Sequence, residues 1–188
     1  MHVFRKLTLM VVASVPALAA FHLPSSSAGP QPAHTGAFGE PSCRACHYDY
    51  PLNESAVTIR LDSLPAMYQP AQSYRLRVRV RHPELRRAGF QLSARFEDGT
   101  QAGAFVTPDT ALLRQQRARD VDYLSHNQKG ADEVRGDSVS WSFDWIAPAS
   151  DGRVVFSIAV NVANNDASEF GDRIFTAAFY SGAELVRK

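Results

Sequence analysis

The chain of 188 residues is poor in cysteine: it has two, Cys43 and Cys46. A disulfide between neighbours so close would close a loop too short to restrain much. A stapled scaffold is therefore excluded. An excess of one charge sign is also missing, since 20 Lys and Arg stand against 19 Asp and Glu. That balance excludes nucleic acid as a partner and gives no bulk attraction to a membrane surface. No low-complexity block, internal repeat, phosphate-binding glycine loop, catalytic triad or recognisable carboxylate pair is present. An enzyme would have to rest on some other chemistry.

The one long apolar run is N-terminal. Arg5 and Lys6 precede an uncharged stretch from Leu7 to Ala20 that ends in Ala17-Leu18-Ala19-Ala20. This order of parts predicts a signal peptide over 1–20. The run is shorter than the roughly 20 residues of a spanning helix, and no stable membrane span is expected after cleavage. Removing it takes away two basic residues and no acid, so 18 bases face 19 acids and the charge becomes about −1. A flexible Ser/Pro/Gly linker is expected over 21–33, a CxxCH segment over 34–54, a β-domain over 55–182 and a tail over 183–188. The location expected is periplasmic or otherwise extracytoplasmic.

From about Ser55 the pattern is alternation, the signature of half-buried strands. Val57, Ile59 and Leu61 alternate with polar residues, as do Tyr74, Leu76, Val78 and Val80 with four arginines. Phe90 to Phe96, Val139 to Trp145, Val154 to Val162 and Arg173 to Tyr180 read likewise. Asp98-Gly99 suits a tight hairpin turn, with Gln101 to Val106 as the returning strand. Pro108 to Asp120 is ambiguous. About seven short strands predict an all-β fold, an immunoglobulin-like antiparallel β-sandwich with a short N-terminal haem-binding segment.

The haem expectation comes from Cys43-Arg44-Ala45-Cys46-His47. Thiols three positions apart reach the two vinyl groups on one edge of a porphyrin, and the next histidine reaches the iron. Cys43, Cys46 and His47 are thus the cofactor-binding residues for one covalent haem c, with His47 the proximal ligand. A CxxC dithiol normally opens a helix in a βαβ setting, and this chain reads as strands. A zinc site needs further ligands, and no second cluster supplies them. The glycines of Thr35-Gly36-Ala37-Phe38-Gly39-Glu40 would let backbone approach the porphyrin.

These segments, together with Tyr68-Gln69-Pro70, Gly89 to Ala94, Tyr123-Leu124-Ser125-His126, Trp141 to Pro148 and Asn161 to Asp172, resemble bacterial Reeler-like (reelin-domain-like) exported proteins with an N-terminal CxxCH. The resemblance covers nearly the whole chain after the leader. It implies an immunoglobulin-like sandwich and export. It implies no particular reaction.

For the second side of the iron, His126 is the first choice as distal ligand and Met67 the weaker alternative. The alternative for His126 is a core-edge histidine bonded to backbone, and for Met67 a loop residue packed on the sandwich end. His34 and His82 are weaker, and an open site would favour ligand sensing or peroxide chemistry. Arg75, Arg77, Arg79 and Arg81 share one face, suited to haem propionates or an acidic partner, or simply a solvated face. Asn164, Asn165, Asp166, Glu169 and Asp172 offer oxygens to calcium, though turn chemistry explains them well. The function expected is a monohaem electron carrier or redox-complex subunit serving an unidentified redox protein. The alternative is a binding, adhesion or ligand-sensing sandwich in which haem is accessory or absent.

Overall fold

A computed structural model describes residues 29–107 and 110–183. The expected leader, most of the linker and nearly all of the tail lie outside the described residues. The strands are β1 (Thr58–Asp62), β2 (Met67–Tyr68), β3 (Ser73–Arg81), β4 (Arg87–Phe96), β5 (Ala104–Val106), β6 (Leu113–Ala118), β7 (Val121–His126), β8 (Ser138–Ile146), β9 (Val154–Ala163) and β10 (Arg173–Ala183). A short helix, α1 (Gln128–Ala131), follows β7, and a 3-10 turn spans Cys43–Ala45. One sheet has the order β1-β3-β8-β5, the other β2-β10-β9-β4-β7-β6. The expected all-β sandwich is the observed fold.

The alternating apolar residues meet between the sheets. Leu76, Val78, Val80, Trp141, Phe143 and Trp145 face Phe90, Leu92, Phe156, Ile158, Val160 and Phe175, all buried. The indoles satisfy their polar edges inside this core. Trp141 Nε1 donates to the Gly130 carbonyl at 2.9 Å and Trp145 Nε1 to the Ala102 carbonyl at 3.1 Å. Burying such rings is the main source of stability, at about 1.5–3 kcal/mol for each large apolar side chain.

Three expectations change. Gln101 returns along β4 for one bridge, to Arg95, and the chain then crosses to the other sheet, where β5 pairs with β8. The crossing turns on Gly103, at φ 73°, where a side chain would collide with the Ile146 carbonyl. The ambiguous segment supplies an edge strand, β6, paired with β7. The arginine stripe lies on the outer face of β3, a central strand between β1 and β8. There Arg75 pairs with Asp144, Arg79 with Asp62 and Arg81 with Asp137, while Arg77 donates to Ser142. It is a solvated face on which three of the four arginines are paired with acids.

The six-stranded sheet is covered on both sides. The outward positions Gln91, Ser93, Arg95, Ser125 and Ser157 are polar yet buried, because residues 29–56 lie across them as a strap. The His34 amide donates to Gln91 Oε1 at 2.6 Å, and Gln91 Nε2 donates to the Gln31 carbonyl at 2.8 Å. Arg95 pairs with Glu40, which also accepts from the Tyr123 hydroxyl and from Thr35 Oγ1 at 2.7 Å. The Arg95 guanidinium lies 4.8 Å from the centre of the Phe38 ring. Farther on, the Asn53 amide donates to the Ile174 carbonyl and Asn53 Oδ1 accepts from the Thr176 amide, closing the open end of β10. Arg173 then holds Glu54 and Glu84.

Burial alone would raise the Glu40 pKa, but the hydrogen bonds from Arg95, Tyr123 and Thr35 outweigh it and hold the carboxyl below its ordinary value of 4.5. A depressed carboxyl stabilises the fold above the unfolded value, and that gain is lost as pH falls through the folded one. Strap anchoring is therefore expected to weaken below about pH 4.5. Removing one partner of a buried pair costs about 3–5 kcal/mol. Glu40→Ala should lower the unfolding free energy by about 3 kcal/mol in a denaturant titration at pH 7. A change within 0.5 kcal/mol, the roughly neutral range of a surface substitution, would contradict the clamp.

Candidate functional site

The CxxCH stands on the strap above β9 and β10. Ser42 caps the 3-10 turn, its Oγ accepting from the Arg44 amide at 3.2 Å. The Cys43 carbonyl accepts from the amides of both Cys46 and His47, at 3.2 and 3.1 Å. This compact turn presents two thiols, neither in a disulfide, with Cys46 exposed and Cys43 half-buried. Burial pushes the Cys43 thiol up to about 12. Of the two glycines before the motif, Gly36 packs tightly on β10, where an added Cβ would lie 2.8 Å from Thr176 Cγ2. Gly39 has open space around it.

His47 turns inward from the strap. Its Nδ1 lies 2.8 Å from Asp172 Oδ2, and Asn161 Nδ2 stands 3.3 Å from Nδ1 and 3.5 Å from Nε2. Asn161 Nδ2 donates to Asp172 Oδ2 at 2.9 Å, and the Asn164 amide donates to Oδ1 at 3.2 Å. Asp172 is 2% exposed. An amide nitrogen only donates, so whichever ring nitrogen Asn161 serves carries the lone pair. Next to the ring, Tyr48 and Phe170 stand edge to face with centroids 6.0 Å apart, both exposed.

His126 is the second histidine brought to this region. Its ring lies over Gly89, where an added Cβ would sit 2.6 Å from Cε1. Gly89 in turn faces Asn161 across the β4–β9 pair. A row across the sheet therefore runs from His126 over Gly89 to Asn161, and from Asn161 to His47 and Asp172. The ladder between β4 and β7 ends at Gln91 and Ser125, and beyond it the His126 side chain takes over. Its Nδ1 accepts from the Phe90 amide at 2.9 Å and lies 3.2 Å from the Phe90 carbonyl. Burial lowers its pKa to about 4; the Phe90 backbone contact opposes that shift, and the charges of Arg87 and Arg114 add to it.

The other sequence-based choices lie elsewhere. Met67, 51% exposed, is on β2, which pairs with Gly182. Gly182 lies nine steps along β10 from Arg173, about 30 Å at the rise of a strand. The structure thus does not bring Met67 to His47. His34 is on the strap with Nδ1 3.0 Å from the Pro32 carbonyl. His82 is buried against Phe175 and contacts Ser55 Oγ at 3.2 Å. The acidic loop before β10 uses its oxygens internally: Asp166 accepts from Asn164 and Ser168. Among the described residues no group of three or more His, Cys, Asp or Glu is arranged to hold a metal ion. The arginine stripe faces away from His47, on the opposite sheet.

Fold and site together define a two-sheet β-sandwich with a CxxCH-bearing strap bound over its larger sheet. Its architecture is that of a reeler domain. The Reelin-N domain of F-spondin is similar over 76% of this chain and 98% of its own, at 19% identity and a TM-score of 0.54. The human F-spondin reeler domain is similar over 73% of this chain and 96% of its own, at 19% identity and a TM-score of 0.52. No family model matches the chain, and no curated protein does.

Because the His126 value lies below the ordinary 6.5, an unfolded chain takes up the proton first as pH falls. His126 should therefore cost stability progressively from about pH 6.5 down to about 4 and no further below that. In an NMR titration His126 should titrate near 4. Gly89→Ala, by displacing the ring, should move it toward its ordinary value. An unshifted His126 in the parent protein would contradict the burial described.

Proposed function

We propose that the chain is an exported β-sandwich module that carries one covalent haem c on its strap. In this reading it works outside the cytoplasm, in the periplasm or beyond, as an electron carrier or redox-complex subunit serving a redox protein partner. The observation that carries it is the His47–Asp172 pair beside two free thiols. The donor set fits the group: two thiols at the vinyl spacing, and an adjacent imidazole.

Cys43 and Cys46 would hold the group through thioether bonds, and His47 Nε2 would bind its iron. Bound there, the group supplies a one-electron carrier. Ser42 and the Cys43 carbonyl keep the turn compact, so the thiols and imidazole stay in one short segment. The strap contacts at Glu40 and Asn53 fix that segment against the sheet from both sides. Among the described residues no helix is long and apolar enough to cross a membrane.

The second reading is a binding, adhesion or ligand-sensing sandwich in which haem is accessory or absent. The likeness to reeler domains supports it, being a likeness of the sandwich as a whole.

The two readings separate when the full-length chain is exported from a host competent for haem attachment. The haem reading expects a c-type pyridine haemochrome spectrum and colour that survives denaturing electrophoresis. It expects Cys43→Ala with Cys46→Ala to abolish both while the sandwich still folds, as read by circular dichroism. A colourless parent protein with two reactive thiols would favour the second reading.

A further inference from the structure

Arg95 and Tyr123 stand on β4 and β7, neighbouring strands of the six-stranded sheet. The Arg95 side chain is 6% exposed. Its Nη2 donates to Glu40 Oε1 and to Tyr123 Oη, the latter at 2.6 Å. The Tyr123 hydroxyl donates to that same Glu40 oxygen. Two donors of the sheet thus converge on one oxygen of the strap. The guanidinium also lies 4.8 Å from the centre of the Phe38 ring and 5.3 Å from that of Tyr123.

The match is incomplete. Arg95 Nε is buried and has no hydrogen-bond partner among the described residues. A guanidinium meets a carboxylate best through two parallel N–H bonds, and Glu40 uses one arm of the fork. Its second oxygen turns back to the strap, where it accepts from Thr35 Oγ1 at 2.7 Å. The cover also leaves the hydroxyls of Ser93, Ser125 and Ser157 buried without partners. Buried polar groups left unpaired carry a desolvation cost, so lifting the strap returns part of what its anchors lose.

We propose that Arg95 and Tyr123 form a carboxylate-binding site of the sandwich, filled in this chain by its own Glu40 and open to an acidic ligand when the strap lifts. The ligand is a free carboxylic acid or an acidic side chain of a polypeptide. Its two oxygens would take Nε and Nη2 together, with Tyr123 Oη as a third donor. The strap is then a competitor held in place by its own tether. The site stands independently of the haem reading, since neither residue belongs to the CxxCH.

The test uses the full-length chain, made without haem attachment so that both thiols are free, and its Glu40→Ala variant. The probes are sodium acetate, set against sodium chloride at equal ionic strength, and a peptide of residues 35–42 with blocked ends. In Glu40→Ala, acetate should shift the Arg95 Nε–H signal saturably in 15N NMR and raise the unfolding midpoint above its value in chloride. Adding Tyr123→Phe should weaken acetate about tenfold, the loss of one hydrogen bond to a charged group. The parent, with its site filled, should not respond at the same concentrations. A peptide that binds the variant more tightly than acetate points to a polypeptide ligand, and one no tighter points to a free acid.

Acetate that acts on the variant only as chloride does overturns the proposal. If the variant does not fold, the parent decides through Cys43, a half-buried thiol on the strap. The peptide should speed alkylation of Cys43 by displacing the strap, and the same peptide carrying Glu40→Gln should not. Equal rates with both peptides overturn the proposal.

Discussion

Arg95 is a buried cation on the outward face of a β-strand, and covering it is the constraint from which the rest follows. A sandwich needs one apolar face per sheet, and the six-stranded sheet has that face against its partner. Its other face carries Gln91, Ser93, Arg95, Ser125 and Ser157, side chains that would ordinarily meet water. Residues 29–56 lie on them instead, and Glu40 supplies the charge that Arg95 requires. A single buried pair of this kind adds little net stability when complete and is strongly destabilising when half-removed. Its consequence is specificity: the strap has one register on the sheet.

That register decides what the CxxCH meets. With Glu40 on Arg95 and Asn53 on the free end of β10, the turn at Cys43–Ala45 stands above β9 and β10. His47 then meets Asn161 and Asp172, one from a strand and one from the residue before the next strand. The site is thus assembled from two distant stretches of chain, the strap and the β9–β10 hairpin. Such support is what holds a metal-binding side chain in one geometry.

Strand alternation made most of the sandwich legible from the sequence, because each strand of the core has one apolar side. It failed at Gln101 to Val106, where Gly103 lets the chain leave one sheet for the other. It also failed at Leu113 to Ala118, an edge strand with few apolar residues. The polar side of β4 reads as a solvated face, and nothing local reveals that the strap covers it. The same holds for Asp172. It reads as a turn residue in an Asn/Asp-rich loop, and only the tertiary fold places it behind His47. Local pattern did bear on Cys43, Cys46 and His47, since their chemistry lies in their spacing. It put His126 ahead of Met67 without any local signature of distance across the sheet; the row over Gly89 that brings His126 near His47 belongs to the tertiary fold.

The fold is a reeler-type sandwich, and the proposal turns on what the strap carries. The measurement closest to that claim is the intact mass of the full-length chain after export from a host with haem-attachment machinery. The account predicts a processed protein heavier than its sequence by one haem, with neither Cys43 nor Cys46 open to alkylation. A protein of bare sequence mass, with both thiols alkylated, would contradict it.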